Sequence, residues 1–211
     1  MSPKGSVKPA IVRQFARPRG AAGHIAGWIM AHRGSNVQRN QWVVSLLEVQ
    51  PGQRILEVGF GPGVALAETV RRVGATGHVY GIDRSEVMLR HASRRNAAAV
   101  RAGRITLVQA PVEALPAGFE GPFDAVYAVN SLEFWALPAE RLAQLQRRLV
   151  PGGRLAIATQ PRGADAARDP ALAARERMEM FERAGLTGVR SHTLPLHPPV
   201  VCVIGAKGTG G

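Results

Sequence analysis

Residues 55–63 read Ile55-Leu56-Glu57-Val58-Gly59-Phe60-Gly61-Pro62-Gly63, an apolar run that ends in three glycines at alternate positions. The segment Val64 to Val73 follows with helical character, so the stretch reads as a buried strand turning sharply into a helix. Missing side chains let the backbone of such a turn approach a ligand closely. The helix start behind it offers unpaired amide donors and a partial positive charge. That geometry can cradle a phosphate or a carboxylate. Glycines at this spacing also serve ordinary tight turns, so the turn alone names no ligand.

Outward from the turn, short β-rich runs alternate with alanine-rich helical segments, the signature of a parallel sheet covered by helices. Strands are predicted at Arg54–Val58, His78–Ile82, Arg104–Val108, Phe123–Val129 and Arg154–Thr159, with helices at Val64–Val73, Ser85–Ala99 and Pro138–Leu149. Asp169 and Pro170 supply an N-cap and a first-turn proline for one more helix, which Gly185 ends. The runs Gly188–Leu194 and Val200–Ile204 are joined by so short a connection that they must pair antiparallel. The strand His78–Ile82 delivers Asp83, whose carboxylate can accept from both hydroxyls of a ribose while also capping the helix beside Ser85.

The expected organisation is a basic arm at 1–19, a helical lid at 20–50, an α/β domain at 51–206 and a glycine-rich tail at 207–211. At 211 residues and 45% apolar composition the chain has one sizeable core. The lone Cys202 makes no internal disulfide, which points to the cytoplasm. No run reaches the roughly 18 to 20 apolar residues that span a bilayer. The net charge of +12 invites nucleic-acid or membrane readings, but half of the excess sits in the first 50 residues and the rest is arginine spread over alanine-rich helices.

Four segments in order carry a family resemblance: Leu56 to Gly63, then Gly81-Ile82-Asp83, then Pro122-Phe123-Asp124-Ala125-Val126, then Leu149-Val150-Pro151-Gly152-Gly153-Arg154-Leu155. Over roughly residues 36–206 the chain resembles the class I S-adenosylmethionine-dependent methyltransferases. The resemblance implies a doubly wound, Rossmann-like α/β fold with a seven-stranded, mostly parallel sheet of order 3-2-1-4-5-7-6, an antiparallel final strand, helices on both faces and an N-terminal helical cap. It also implies S-adenosylmethionine as cofactor and S-adenosylhomocysteine as product. By position, Glu57, Gly59, Phe60, Gly61 and Gly63 surround the methionyl part, Asp83 holds the ribose and Arg84 flanks the adenine. Asn130 matches the position whose backbone meets the methionine amine. Pro111 stands where relatives carry an aspartate for the adenine amino group, which leaves adenine to the Val112 amide and packing. A nicotinamide site would instead show G-x-G-x-x-G spacing, and Glu57 would lie against phosphate oxygens.

Methyl transfer from a sulfonium is an in-line displacement, so positioning supplies most of what is needed and no triad is expected. On the helix starting at Ser35, the spacing Val37, Asn40, Val44, Leu47 places Asn40 in an apolar stripe, with Asn36 one turn earlier. Asn40 either meets the methionyl carboxylate or the acceptor, or makes a structural hydrogen bond to a nearby loop. His24 and Trp28 share a helical face, with His24 a candidate base. After the fourth strand, Glu133 is a second candidate base and Phe134 and Trp135 are candidate walls of the acceptor site. Scattered histidines and one cysteine have no metal-ligand spacing, so no metal is expected.

The favoured acceptor is a small organic molecule. Nucleic acid is possible but not favoured: the chain lacks Asn-Pro-Pro-Tyr, Asp-Pro-Pro-Tyr and Pro-Cys sequences and has few aromatics for base stacking. A membrane-surface enzyme acting on a lipid or quinone, and a binder of the cofactor without transfer, are the other readings. Monomer and homodimer are both compatible with the sequence.

Overall fold

The computed structural model describes residues 34–161 and 169–209. The lid helix expected at 20–32, including His24 and Trp28, lies outside the described residues. In chain order the elements are α1 (Gly34–Leu46), β1 (Arg54–Val58), α2 (Val64–Val73), β2 (His78–Asp83), α3 (Glu86–Arg95), α4 (Ala97–Arg101), β3 (Ile105–Gln109) and β4 (Phe123–Val129). A single 3-10 turn at Leu132–Phe134 leads to α5 (Pro138–Arg147), β5 (Leu149–Thr159), α6 (Pro170–Arg183), β6 (Leu186–Leu194) and β7 (Val200–Lys207).

The seven strands form one sheet in the order β3-β2-β1-β4-β5-β7-β6, as the resemblance implied. From β3 to β5 every pairing is parallel; β7 runs antiparallel to both β5 and β6. Successive strand residues point to opposite faces, so both faces need covering and the central strands are largely apolar, with Glu57 of β1 as a buried exception. Ile55, Tyr127 and Cys202 pack on one face with Val43 and Val44 of α1, Leu66 of α2 and Met88 of α3. Their neighbours Leu56, Val126 and Val203 pack on the other with Leu142 and Leu145 of α5 and Phe181 of α6. Each such side chain contributes roughly 1.5–3 kcal/mol by leaving water. The strand order reverses between β1 and β4, and in open α/β sheets that switch point opens a crevice at the carboxyl ends of the strands.

Two departures from the sequence reading have local causes. The single helix expected over Ser85–Ala99 breaks at Asn96, whose side-chain amide donates to Gly63 O at 3.1 Å and to Ala92 O at 3.0 Å. An asparagine that bonds backbone carbonyls competes with the helix ladder, and here it ties the break to the glycine turn. The strand expected from Arg154 begins at Leu149, because Gly152 (φ 76°) and Gly153 let the chain bulge between the pairs Phe123–Leu149 and Ala125–Arg154. Ser35, the expected start and cap of the helix, lies inside α1. Asp169, by contrast, caps α6 as expected, its carboxylate accepting from Ala171 N at 2.9 Å.

Candidate functional site

At the switch point a cavity of about 580 Å³ opens between the ends of β1, β2, β3 and β4, with α1 along one side. Its glycines have separate duties. A side chain at Gly59 (φ 79°) would lie 2.5 Å from Ser131 Cβ, and one at Gly63 (φ 76°) would lie 2.8 Å from Ala92 Cβ. Gly59 thus admits the β4 loop, where Ser131 Oγ donates to Val58 O at 2.8 Å, and Gly63 admits α3. Gly61 (φ 52°) has no atom within 4 Å of where a Cβ would stand. Close approach of a ligand to the turn is therefore a matter for Gly61; the other two glycines serve packing within the protein.

Asp83 ends β2 facing this turn. One of its carboxylate oxygens accepts from Gly61 N at 2.8 Å and the other from Ser85 N at 2.9 Å. Burial raises its pKa, while the Ser85 and Gly61 amides and the Arg84 charge pull it back. Each oxygen retains a lone pair for a hydroxyl donor. Arg84 itself is exposed, with Nη1 donating to Phe134 O at 3.5 Å and its own carbonyl accepting from Gln109 Nε2 at 3.3 Å.

Glu57 is 2% exposed at the cavity floor. Tyr127 Oη donates to its Oε2 at 2.8 Å and lies 2.8 Å from Thr69 Oγ1, in a fully buried chain of hydroxyls. Burial pushes the Glu57 carboxyl up to about 8, with the nearby Asp83 charge adding to the rise and the Tyr127 bond opposing it. A carboxyl held in this way gains most from a cation, which restores its ionised form.

Val112 is buried in the cavity wall beside Pro111. Two residues after Pro111, Glu113 also lines the cavity, and its carboxylate accepts from Ala136 N at 2.8 Å, binding the loop after β3 to the loop after β4. Asn130 closes β4 in a left-handed conformation (φ 53°), uncommon outside glycine, and its Oδ1 accepts from Gln160 N at 2.7 Å. Phe134, which is exposed, and Trp135, which is buried, also line the cavity. Glu133 is exposed and is not among the lining residues.

From α1 the structure brings Asn36, Arg39 and Asn40 to the cavity. Asn40 Nδ2 donates to Asn36 O at 2.6 Å and to Asn36 Oδ1 at 2.9 Å, both bonds lying within the helix rather than reaching a neighbouring loop. Arg39 is 6% exposed; its guanidinium donates to Asn36 Oδ1 and, at 2.6 Å, to Gln160 Oε1. Sequence reasoning missed Arg39 and Gln160. The spacing Asn36, Arg39, Asn40, Val43 is itself a helical stripe, and a cation inside it was the available signal. Gln160 follows the end of β5, and only the sheet brings it to α1. No cluster of metal-ligating side chains occurs among the described residues.

These features fit a nucleoside carrying a cationic amino-acid chain: a carboxylate pair of lone pairs for a ribose, open space over Gly61, and a buried carboxyl that favours a positive partner. A methyltransferase-domain family matches residues 55–153. An uncharacterized methyltransferase of Bacillus subtilis, YdaC, is 36% identical over 87% of this chain and 98% of its own length. The ubiquinone/menaquinone biosynthesis C-methyltransferase UbiE of Pseudomonas entomophila is 34% identical over 56% of this chain, which spans only 45% of that protein. The solved S-adenosylmethionine-dependent methyltransferase of Aquifex aeolicus shares the fold at a TM-score of 0.63 and 20% identity, over 82% of this chain and 97% of its own. With its near full-length likeness to YdaC and its matched domain, the chain belongs to the S-adenosylmethionine-dependent methyltransferases, and S-adenosylmethionine is its cofactor.

Proposed function

We propose that the enzyme transfers the methyl group to a small organic acceptor that enters beside Phe134 and Trp135. The observation that carries this reading is a continuous cavity of about 580 Å³, in the range of small-molecule sites, lined both by polar anchors and by the aromatic side chains of Phe134 and Trp135. Asp83 would hold the ribose hydroxyls, Gly61 would admit the cofactor to the turn, and the Val112 amide and Arg84 would flank the adenine. Glu57 would face the positive end of the methionyl chain, and Asn130 would meet its amine through the backbone.

The cofactor supplies an activated methyl on a sulfonium. The protein's task is then to align the acceptor and exclude water, and good orientation contributes on the order of 7–11 kcal/mol. The described carboxylates that line the cavity are Glu57, Asp83 and Glu113, and each already serves an anchoring or loop-binding role. For an acceptor that must lose a proton, His24 is the proposed base; Glu133, exposed and outside the cavity lining, is poorly placed for that role. The likeness to the C-methyltransferase, together with Phe134 and Trp135, favours as a second reading a flat phenolic or quinol ring as acceptor. No described helix is long and apolar enough to cross a membrane. We assign the enzyme to the cytoplasm on its cysteine usage.

Methyl-labelled cofactor offered with phenols, amines, carboxylic acids, tRNA and vesicles tests the acceptor class. Label in a small molecule, with stoichiometric S-adenosylhomocysteine, supports the proposal; label confined to tRNA overturns it. Asp83→Ala tests the site: affinity for S-adenosylhomocysteine is expected to fall about 10- to 100-fold, from the loss of charge-assisted hydrogen bonds. Unchanged affinity in a folded variant would mean the ribose lies elsewhere.

A further inference from the structure

The cofactor brings three charges into the cavity: a sulfonium, an ammonium and a carboxylate. Buried anions need a cation or several donors, and the protein must provide them at the methionyl end. Among the described residues that line the cavity the cations are Arg39 and Arg84. Arg84 is exposed at the end of β2, beside Asp83 and on the ribose side. Arg39 is 6% exposed on α1, and its Nη1 bonds Gln160 at the end of β5, on the opposite side of the switch point from Arg84.

Two further contacts prepare this corner. Asn36 Oδ1 and Gln160 Oε1 accept from the two terminal nitrogens of Arg39 and so fix the plane of its guanidinium. The backbone amide of the same Gln160 donates to Asn130 Oδ1 at 2.7 Å, which turns the Asn130 amide nitrogen the other way. That nitrogen is buried and has no hydrogen-bond partner among the described residues, although Asn130 lines the cavity. A buried amide donor left unmet is costly, so its orientation calls for an acceptor from the ligand.

We propose that Arg39 is the counter-ion of the methionyl carboxylate, with Asn130 Nδ2 as a second donor, the two being held in register by Gln160. This inference rests on the cofactor reading above and adds to it the way the enzyme recognises the amino-acid end of the cofactor. Arginine suits the task because its planar fork matches a carboxylate, whereas lysine offers only a point charge.

Calorimetry on the purified protein tests this with three probes: S-adenosylhomocysteine, 5′-methylthioadenosine, and S-adenosyl-3-thiopropylamine, which keeps the thioether and amine and lacks only the carboxylate. The wild type is expected to prefer S-adenosylhomocysteine over the thiopropylamine roughly 10- to 100-fold. Arg39→Met should lose most of that ratio by weakening S-adenosylhomocysteine alone, and Arg39→Lys should recover part of it. Asn130→Asp keeps an oxygen for Gln160 N and sets a second oxygen against the carboxylate, so its ratio should also fall; it carries the test if Arg39→Met does not fold. A wild-type ratio near one, or an unchanged ratio in Arg39→Met, overturns the proposal. A weakened acceptor KM with unchanged S-adenosylhomocysteine affinity overturns it too, in favour of an anionic acceptor. Failure of the wild type to bind any of the three probes would instead sink the cofactor reading.

Discussion

Glu57→Gln makes the buried carboxyl of the cavity floor permanently neutral while leaving an oxygen for Tyr127 Oη. In the folded chain this carboxyl holds its proton up to about 8, against an ordinary value of 4.5, because burial penalises its charge. A raised acid binds its proton more tightly in the folded than in the unfolded chain. Its stabilising effect is complete below 4.5 and is lost as pH rises towards 8. At about 1.36 kcal/mol per pH unit, the wild type gives up about 3 kcal/mol between pH 4.5 and 7 relative to a chain that cannot ionise here. Urea unfolding of both proteins without cofactor, at pH 5, 6, 7 and 8, measures this directly. The variant's advantage should grow by about 1 kcal/mol per unit from pH 5 to 7 and flatten above 8. Taking the difference between the two proteins removes the contribution of Asp83 and the other acids. Parallel stability curves would refute the argument, since they would mean that Glu57 is no harder to ionise in the fold than in the unfolded chain.

Gly63→Ala should destabilise the fold by at least 1–3 kcal/mol, read as a lower Tm, since the new methyl meets Ala92 Cβ at 2.8 Å at a φ of 76°. Gly61→Ala meets open space, so beyond the strain of its φ of 52° it should act chiefly on cofactor binding, read by calorimetry with S-adenosylhomocysteine. Tyr127→Phe removes the donor to Glu57 and leaves Thr69 Oγ1 without its hydroxyl neighbour; a loss of about 1–3 kcal/mol in denaturant unfolding is expected.

Much of this protein is legible in its sequence because the signals are local. Strand periods, the glycine turn, Asp83 at a strand end and the Asp169-Pro170 helix start each depend on residues within one or two elements. The four motifs in order set the sheet topology through resemblance, and the short connection before Val200 required the antiparallel pair that the sheet shows. Asn96 shows where local reading stops. Its helix pattern is continuous, and the bond that breaks it goes to Gly63, thirty-three positions away.

What only the tertiary structure decided is which groups meet across the sheet. Three glycines look alike in sequence, yet a side chain at one would strike Ser131, at another Ala92, and at Gly61 nothing at all. Glu57 reads as a lone acid in a strand, and its proton affinity comes from burial beside Tyr127 and Asp83. Arg39 reads as one of twenty-seven basic residues, but Gln160, 121 positions along the chain, turns it into the buried cation of the cavity. Periodicity and turn chemistry are properties of neighbouring residues, so the chain order carries them. Burial, charge pairing and steric exclusion depend on distances that exist only once the sheet has brought remote strand ends together.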